Sequence, residues 1–531
     1  MSHAQDRPAS NAAAKTDTDA GVRPDGGPGP SPGRRRRLAV MAAAGLATAL
    51  TTAALVPATS GAEHVPAALK GPAHPGAAPG GGDSPSTTQD QERDPDRGGD
   101  GDGDYWARHA GNPDEHRGAG APRGEAEGEG KSEDGGGGRG KDKGEGRDGG
   151  GGRDRGPVVS VECDPNALIE AMTAANTEGG GRLSLAPHCT YALTANDGAT
   201  GLPVVVQRMV IDGNGATITR AAGADRFRVF RVDTGGDLKL RHLTVSDGKT
   251  ASDLSGVPGG GGAYVAPGGL LDVDHVTFEG NRGRGNSYGG AIYSDGITHI
   301  RNSTFRDNSA NRGAGVYNGA GKLEITASKF TGNTSRTWGT IATFNGATTI
   351  AKSLFKNNTA DLGPAVTSAL GGTTDIDKSA FLNHRATSTG GAVYVQDTDL
   401  QLRRSTVAGN SALVAGGVWA PRNAVIADSK IKNNVARTGE AGGIHARPNL
   451  ALQRTEITGN RALASSAGGV YIRTGDPTVG LTDITITDNS AAVAPGGLDN
   501  GFGATIDAYG TNVITDNSPT NCTGVSTAIC F

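Results

Sequence analysis

An apolar residue followed three positions later by asparagine recurs so evenly along this chain that it restricts the fold before anything else is considered. The pairs are Phe278/Asn281, Phe305/Asn308, Phe330/Asn333, Phe355/Asn358, Val407/Asn410, Ile431/Asn434, Ile457/Asn460, Ile486/Asn489 and Ile514/Asn517. Phe381 keeps the place, with His384 standing where asparagine is due. Successive asparagine places lie 24 to 29 residues apart. A repeat of that period builds a solenoid, whose units bury their apolar faces only by stacking on one another. Units so short cannot hold two helices and their turns. Their alternation is that of strands: Val393 and Val395 share a face, as do Val470 and Ile472, and Leu400 and Leu402. Three short strands and three turns fit each unit, and stacking makes the sheets parallel. The expected fold is therefore all-β, a parallel β-helix of about ten to twelve coils, and ten coils at about 4.8 Å per step give a rod of about 45–50 Å. A leucine-rich horseshoe has a similar period but needs a Leu-x-x-Leu-x-Leu register that is absent here.

The ends of the chain differ from the repeats. Glycine numbers 87 of 531 residues and aromatic residues only 4%, so a large part of the chain builds no ordinary core. Arg34 to Arg37 precede an uncharged apolar run from Leu38 to Val56, followed by small residues to Ala62. Residues 1–62 read as an export signal, and the same 19-residue run is also just long enough for an uncleaved membrane anchor. Residues 63–156 are glycine and charged residues, too poor in apolar side chains to fold, and read as a disordered spacer. A net charge of −4 points to no nucleic acid partner. Residues 157–248 are expected to form an N-terminal cap and irregular first coils, 249–517 the regular repeats, and 518–531 a C-terminal cap tail. Asp164-Pro165 starts a helix with an apolar stripe of Leu168, Ile169 and Met172, suited to covering the open end of a solenoid. The four cysteines group at the two ends, predicting disulfides Cys163–Cys189 and Cys522–Cys530 in an exported chain. The first loop of about 26 residues is worth about 3.5 kcal/mol in the chain-entropy account. A displaced copy of the repeat at Val245 to Gly248 is followed by an insertion between Thr250 and Gly260, a place where solenoids carry local features.

Gly289-Gly290-Ala291-Ile292 alternating with Phe305-Arg306-Asp307-Asn308, and Gly390-Gly391-Ala392-Val393 with Val407 to Asn410, resembles the repeats of polymorphic outer membrane proteins, within the pectate-lyase-like superfamily of right-handed parallel β-helices. The resemblance runs from about Cys163 to the C-terminus. It implies right-handed winding and an exported or cell-surface protein of the adhesin kind. Only a cysteine-bounded tail follows Asn517, so a membrane barrel of the autotransporting members is not expected.

Equal positions stack, so chemistry is read by rows. The asparagine row is expected at a turn that uses a left-handed backbone, with amides bonding along the stack. Ser303, Ser328, Ser353, Ser379, Ser405, Ser429 and Thr455 form an interior hydroxyl row, with no His or Asp to make nucleophiles of them. The outward row is Tyr293, Tyr317, Ala342, Thr367, Tyr394, Trp419, His445, Tyr471 and Asp499. Its six rings are candidate ligand-binding residues, as a platform for sugar rings, or else a ladder that only stabilises the sheet. Lys352, Lys378, Arg404 and Arg454, interrupted by Asp428, are either solvated or matched to an anionic glycan. Catalysis would need clustered carboxylates, and the candidates are Asp375, Asp377, Asp397 and Asp399 near Arg403 and Arg404. The Asp-Asp and Gly-His-Gly sets of polygalacturonase-like relatives are missing. No cofactor or metal is expected, except calcium if the chain is a lyase. The leading expectation is a secreted or cell-surface monomer that binds a polysaccharide or surface polymer without catalysis, touching a membrane only through its N-terminal segment. The alternatives are a polysaccharide lyase or glycoside hydrolase, and a passive structural rod.

Overall fold

The computed structural model describes residues 157–250, 259–447, 449–473 and 478–530. The export segment 1–62, the spacer 63–156 and most of the 250–260 insertion lie outside the described residues. Apart from one helix, the regular structure is strands, nearly all paired in parallel with the copy one coil away, as Ile292 with Val316 and Phe305 with Phe330. Four sheets result, of 14, 13, 12 and 8 strands. Sheet I runs from Val158–Val161 to Thr505–Tyr509, sheet II from Thr190–Leu193 to Val513–Thr515, sheet III from Phe230–Val232 to Cys522–Thr523, and sheet IV from Ser309–Arg312 to Ser490–Ala491. The molecule is a parallel β-helix of the right-handed type with about 14 turns.

Two expectations need correction. The coil count exceeds ten to twelve, because the segments before the first clear repeat supply full strands to sheet I. Eight coils also carry a fourth strand, directly after the asparagine place, where three were expected. Those extra strands are two to five residues long, and their inward residue is small: Ala310, Ser335, Ala360, Ala386, Ala412, Ala436 and Ala462. Small inward side chains let sheet IV lie close on the core and leave almost no apolar alternation to read.

The core is built of rows. Phe278, Phe305, Phe330, Phe355 and Phe381 are fully buried, with consecutive ring centroids 4.9, 4.7, 4.7 and 5.0 Å apart. Val407, Ile431, Ile457, Ile486 and Ile514 continue the stack. Each buried side chain of this size contributes about 1.5–3 kcal/mol. Beside it the hydroxyl row is interior: the Ser303 amide donates to Ser328 Oγ at 3.1 Å, and Ser303 Oγ donates to the Arg301 carbonyl at 2.6 Å.

The asparagines form a ladder. Asn308 donates its backbone N–H to Asn333 Oδ1 at 3.1 Å, and its Nδ2 to the same oxygen and to the Phe278 carbonyl, both at 3.0 Å. Each side chain thereby ties three coils. The left-handed backbone expected of asparagine belongs instead to the residue before it, as at Asp307 (φ 56°), Asn357 (φ 55°) and Asn433 (φ 55°). The ruler residue is required for its amide, which offers two donors and an acceptor at one site. His384 enters the ladder with Nδ1 accepting from the Asn358 amide at 3.0 Å, while its own amide donates to Asn410 Oδ1 at 2.9 Å.

At the N-terminal end the helix Pro165–Thr177 is capped by Asp164, whose carboxylate accepts from the Asn166 amide at 3.0 Å, and it buries Leu168, Met172 and Ala175. Cys163 is bonded to Cys189, and Cys522 to Cys530.

Burial pushes the His384 imidazole down to about 3. In the window between that value and the ordinary histidine range near 6.5, the unfolded chain binds a proton that the folded chain refuses, so stability is lost as pH falls. We predict that His384→Asn, which restores the ladder amide, removes an acid-side loss approaching about 1.4 kcal/mol per pH unit between pH 6 and 4. Urea unfolding of both proteins across that range checks it; parallel pH profiles would refute the assignment.

Candidate functional site

Sheet III carries the outward ring row, and its geometry is set by the coil rise. Tyr264, Tyr293 and Tyr317 have successive centroids 5.6 and 5.0 Å apart. Farther on, Tyr394 lies 6.0 Å from Trp419, Trp419 4.0 Å from His445, and His445 5.0 Å from Tyr471. All six predicted ring residues stand in this row, and their stacking is that of the sheet-stabilising ladder named as the alternative to a platform. A sugar packs on a ring face, and the rings of this row stack on their ring neighbours along it. Tyr317 is 1% exposed and His445 0%; Tyr293, Tyr394 and Trp419 keep partial exposure.

The glycine pairs explain the closure. Gly289 turns at φ 71° so that the main chain passes against Tyr293, and a Cβ there would meet Tyr293 Cβ at 2.8 Å. Ala441 and Ala467 hold the same left-handed place in later coils (φ 63° and 61°), and their methyls pack on Tyr471. At Ala342, where the row lacks a ring, Trp338 and Phe344 arrive from either side with centroids 6.2 Å apart. The Arg312 guanidinium lies 4.3 Å from the Trp338 centroid and 5.2 Å from that of Tyr288. Tyr264, Tyr288, Trp338, Phe344, Arg228 and Arg312 were not singled out in the sequence. Tyr264 follows Gly261-Gly262-Ala263, a copy of the glycine motif hidden by the insertion before it.

Asp295, also missed, adjoins the tyrosines. Burial pushes its carboxyl up to about 6 against an opposing hydrogen bond from Tyr293. His445 goes the other way, down to about 3, through burial and the nearby Arg473 and Arg447. It is a neutral ring in the stack.

The four predicted aspartates do not converge. Asp375 receives two bonds from Arg403 Nη2, at 3.0 and 2.9 Å, and Asp377 pairs with Arg404 at 2.6 Å, which holds its carboxyl below the usual range. Asp399 accepts from Asn423 Nδ2 at 2.9 Å, opposite Thr373 rather than Asp375. Asp397 is a left-handed turn residue, φ 55°. The strand register separates them: Asp375, Asp377 and Asp399 are each held by a side chain of the next coil, and Asp397 is a turn residue. Lys352, Lys378, Arg404, Asp428 and Arg454 likewise occupy one left-handed turn between sheets I and II, where Arg454 pairs with Asp428 at 2.6 Å. Among the described residues no group of three or more His, Cys, Asp or Glu is placed to hold a metal ion.

Sheet IV presents a different surface. Arg336, Arg385, Arg437 and Arg461 stand on its outer side, and Lys249 and Arg282 extend the stacked row below Ser309. Cations of sheets I and II meet carboxylates: Arg301 with Asp272 at 3.0 Å, Lys430 with Glu456 at 2.7 Å, Arg403 with Asp375. Among the described residues none of the six cations on the sheet IV side makes such a pair, and Asp361 is the only acidic residue in the eight strands. Arg437 donates to Ser411 Oγ at 3.2 Å and to the Ala386 carbonyl at 2.9 Å, with burial and the like charge of Arg385 lowering its pKa.

No protein family model and no curated protein matches this chain. Solved structures similar to it include the A-modules of the mannuronan C-5 epimerases AlgE6 and AlgE4 of Azotobacter vinelandii. Both are 16% identical, with TM-scores of 0.37 and 0.34, covering 68% of this chain and 94% and 96% of theirs. PfbA, a surface adhesin of Streptococcus pneumoniae, is 12% identical with a TM-score of 0.28, covering 64% of this chain and 94% of its own. At these scores none of the three assigns a residue or an activity here.

The raised Asp295 carboxyl is a stability statement. The folded state keeps its proton up to about 6 while the unfolded state releases it near 3.8, so this residue's contribution is present below pH 4 and lost as pH rises through 6. Asp295→Asn is expected to stabilise the protein by on the order of 2 kcal/mol at pH 8 and not at pH 4, measured by urea unfolding. An equal effect at both pH values would contradict the burial of this carboxyl.

Proposed function

We propose that this chain is an exported, surface-presented solenoid, with repeats of the polymorphic outer membrane protein type, that binds an acidic polysaccharide along the outer side of sheet IV without altering it. The observation that supports this reading is the contrast in pairing. On sheets I and II several cations meet a carboxylate one coil away, as Arg301 does Asp272, Arg306 Glu279, Arg403 Asp375 and Lys430 Glu456, although Lys329, Lys356 and Lys432 do not. Along sheet IV, from Lys249 to Arg461 over eight coil steps or about 38 Å, none of the six cations does among the described residues. One exposed ion pair is worth at most about 1 kcal/mol. Several on a rigid face act together, because once one is made the others form at high effective concentration. An extended glycan suits such a face, since its sugar repeat is close to the coil rise and its acidic groups recur along one side.

A second reading, a lyase or hydrolase, is favoured by Asp295 alone: a carboxyl near 6 beside a tyrosine hydroxyl is suited to proton transfer. Product release from polygalacturonate that is abolished by Asp295→Asn would establish it in place of binding.

Binding is tested with immobilised polygalacturonate. The wild-type affinity is expected to fall steeply with salt, because the contacts are exposed charges. Arg336→Gln, Arg385→Gln, Arg437→Gln and Arg461→Gln together should weaken it at least tenfold, while Arg403→Gln with Arg454→Gln leaves it within twofold. Equal losses from the two sets, or tighter binding of a charge-matched DNA oligonucleotide, would overturn the proposal.

A further inference from the structure

Where the cationic row begins, a cavity of about 300 Å³ opens across four successive coils, lined by Arg226, Lys249, Arg282, Gly283, Arg284 and Ser309. Its frame is fixed from within. The Lys249 amide donates to the Phe227 carbonyl at 2.9 Å, that of Arg282 to Gly248 at 2.8 Å, and that of Gly283 to Ser309 at 2.8 Å. The Arg284 amide donates to Thr250 Oγ1 at 3.0 Å, and that buried hydroxyl donates to Ser287 Oγ at 3.2 Å. Beside the cavity Arg220 is 3% exposed and donates to the carbonyls of Asp247, Ala221, Ala224 and Asp225, and among the described residues it makes no ion pair with a carboxylate. Asp247 is the acid that opposes this group. Burial, then the like charges of Arg220 and Arg282, lower the Lys249 pKa. Cations so crowded repel one another unless an anion sits among them.

The chemistry of the anion follows from the donors. A carboxylate has two oxygens and is satisfied by one guanidinium, as Asp375 is by Arg403. Here guanidiniums and an ammonium from three coils line one cavity of about 300 Å³, large enough for a sugar-borne group. That arrangement supplies more N–H donors, from more directions, than two oxygens accept, and it matches the three outer oxygens of a tetrahedral ester. We propose that the cavity is an oxyanion site that takes a phosphate or sulfate ester carried on the polysaccharide and anchors one end of the chain lying on sheet IV. The assignment rests on the polymer-binding reading above and adds an ester substituent that anchors one end of the polymer beyond what the carboxylates of polygalacturonate supply along sheet IV.

Titration calorimetry of the full chain with glucose 6-phosphate, glucose 6-sulfate, glucuronate and inorganic phosphate tests it. The two sugar esters should bind at least tenfold more tightly than glucuronate and no more weakly than inorganic phosphate. Arg226→Gln, Lys249→Gln and Arg282→Gln together should remove that binding, and exposed Arg226→Gln alone should weaken it severalfold with the thermal unfolding curve unchanged. Arg385→Gln with Arg437→Gln should leave it intact. Glucuronate matching the esters, free phosphate outcompeting them, or ester binding that survives the triple substitution would overturn the site. Ester binding lost in the triple variant alongside polygalacturonate binding that ignores the sheet IV substitutions would support the cavity and defeat only the strip.

Discussion

Every residue of a parallel β-helix sits about 4.8 Å below a copy of its own position, and that distance decides what each row can contain. Rings stack at it, as the phenylalanines do at 4.7 to 5.0 Å. Amides tile at it, because each asparagine is acceptor to the coil before and donor to the coil after. Like charges cannot rest at it without water or a counter-ion. The sequence rows that tolerate self-contact are therefore structural by default, and a row that does not is where another molecule has something to add.

The outer aromatic row illustrates the first half of that rule. Its rings looked like a binding surface because they are concentrated on one face of a chain poor in aromatics. In the structure they repeat outside the barrel what the phenylalanines do inside it, and Trp338 with Phe344 closes over Ala342 where the row has no ring of its own. Sheet IV illustrates the second half where Lys249 and Arg282 stack on adjacent coils. Its cations stay without carboxylate partners among the described residues, although the same fold supplies partners to Arg301, Lys430 and Arg454.

The parallel solenoid was legible because one row, Phe-x-x-Asn, cannot tolerate much substitution: its side chain is enclosed on every side, and the amide serves three coils at once. Sheet IV was not legible. Its strands are as short as Val435–Ala436, and its inward residues are alanine or serine, so neither length nor apolar alternation marks them. Pairing was hidden for a different reason. Whether Arg385 or Arg403 meets a carboxylate depends on residues about one repeat away, and the register that brings them together includes bulges such as that between Ala360 and Leu362. Asp375 and Asp399 looked clustered for the same cause: a shift of two residues in register places Asp399 opposite Thr373. Asp295 left no trace in the sequence, because its elevated carboxyl comes from burial that only the folded stack produces.

The account turns on sheet IV being the occupied face. Arginine-specific dicarbonyl labelling, read by mass spectrometry with and without polygalacturonate, addresses that directly, since arginines of every sheet report in one experiment. Protection confined to Arg336, Arg385, Arg437 and Arg461, with Arg301, Arg306, Arg403 and Arg454 labelled as before, is the predicted result. Protection spread evenly over both sets, or concentrated on the second, would contradict it.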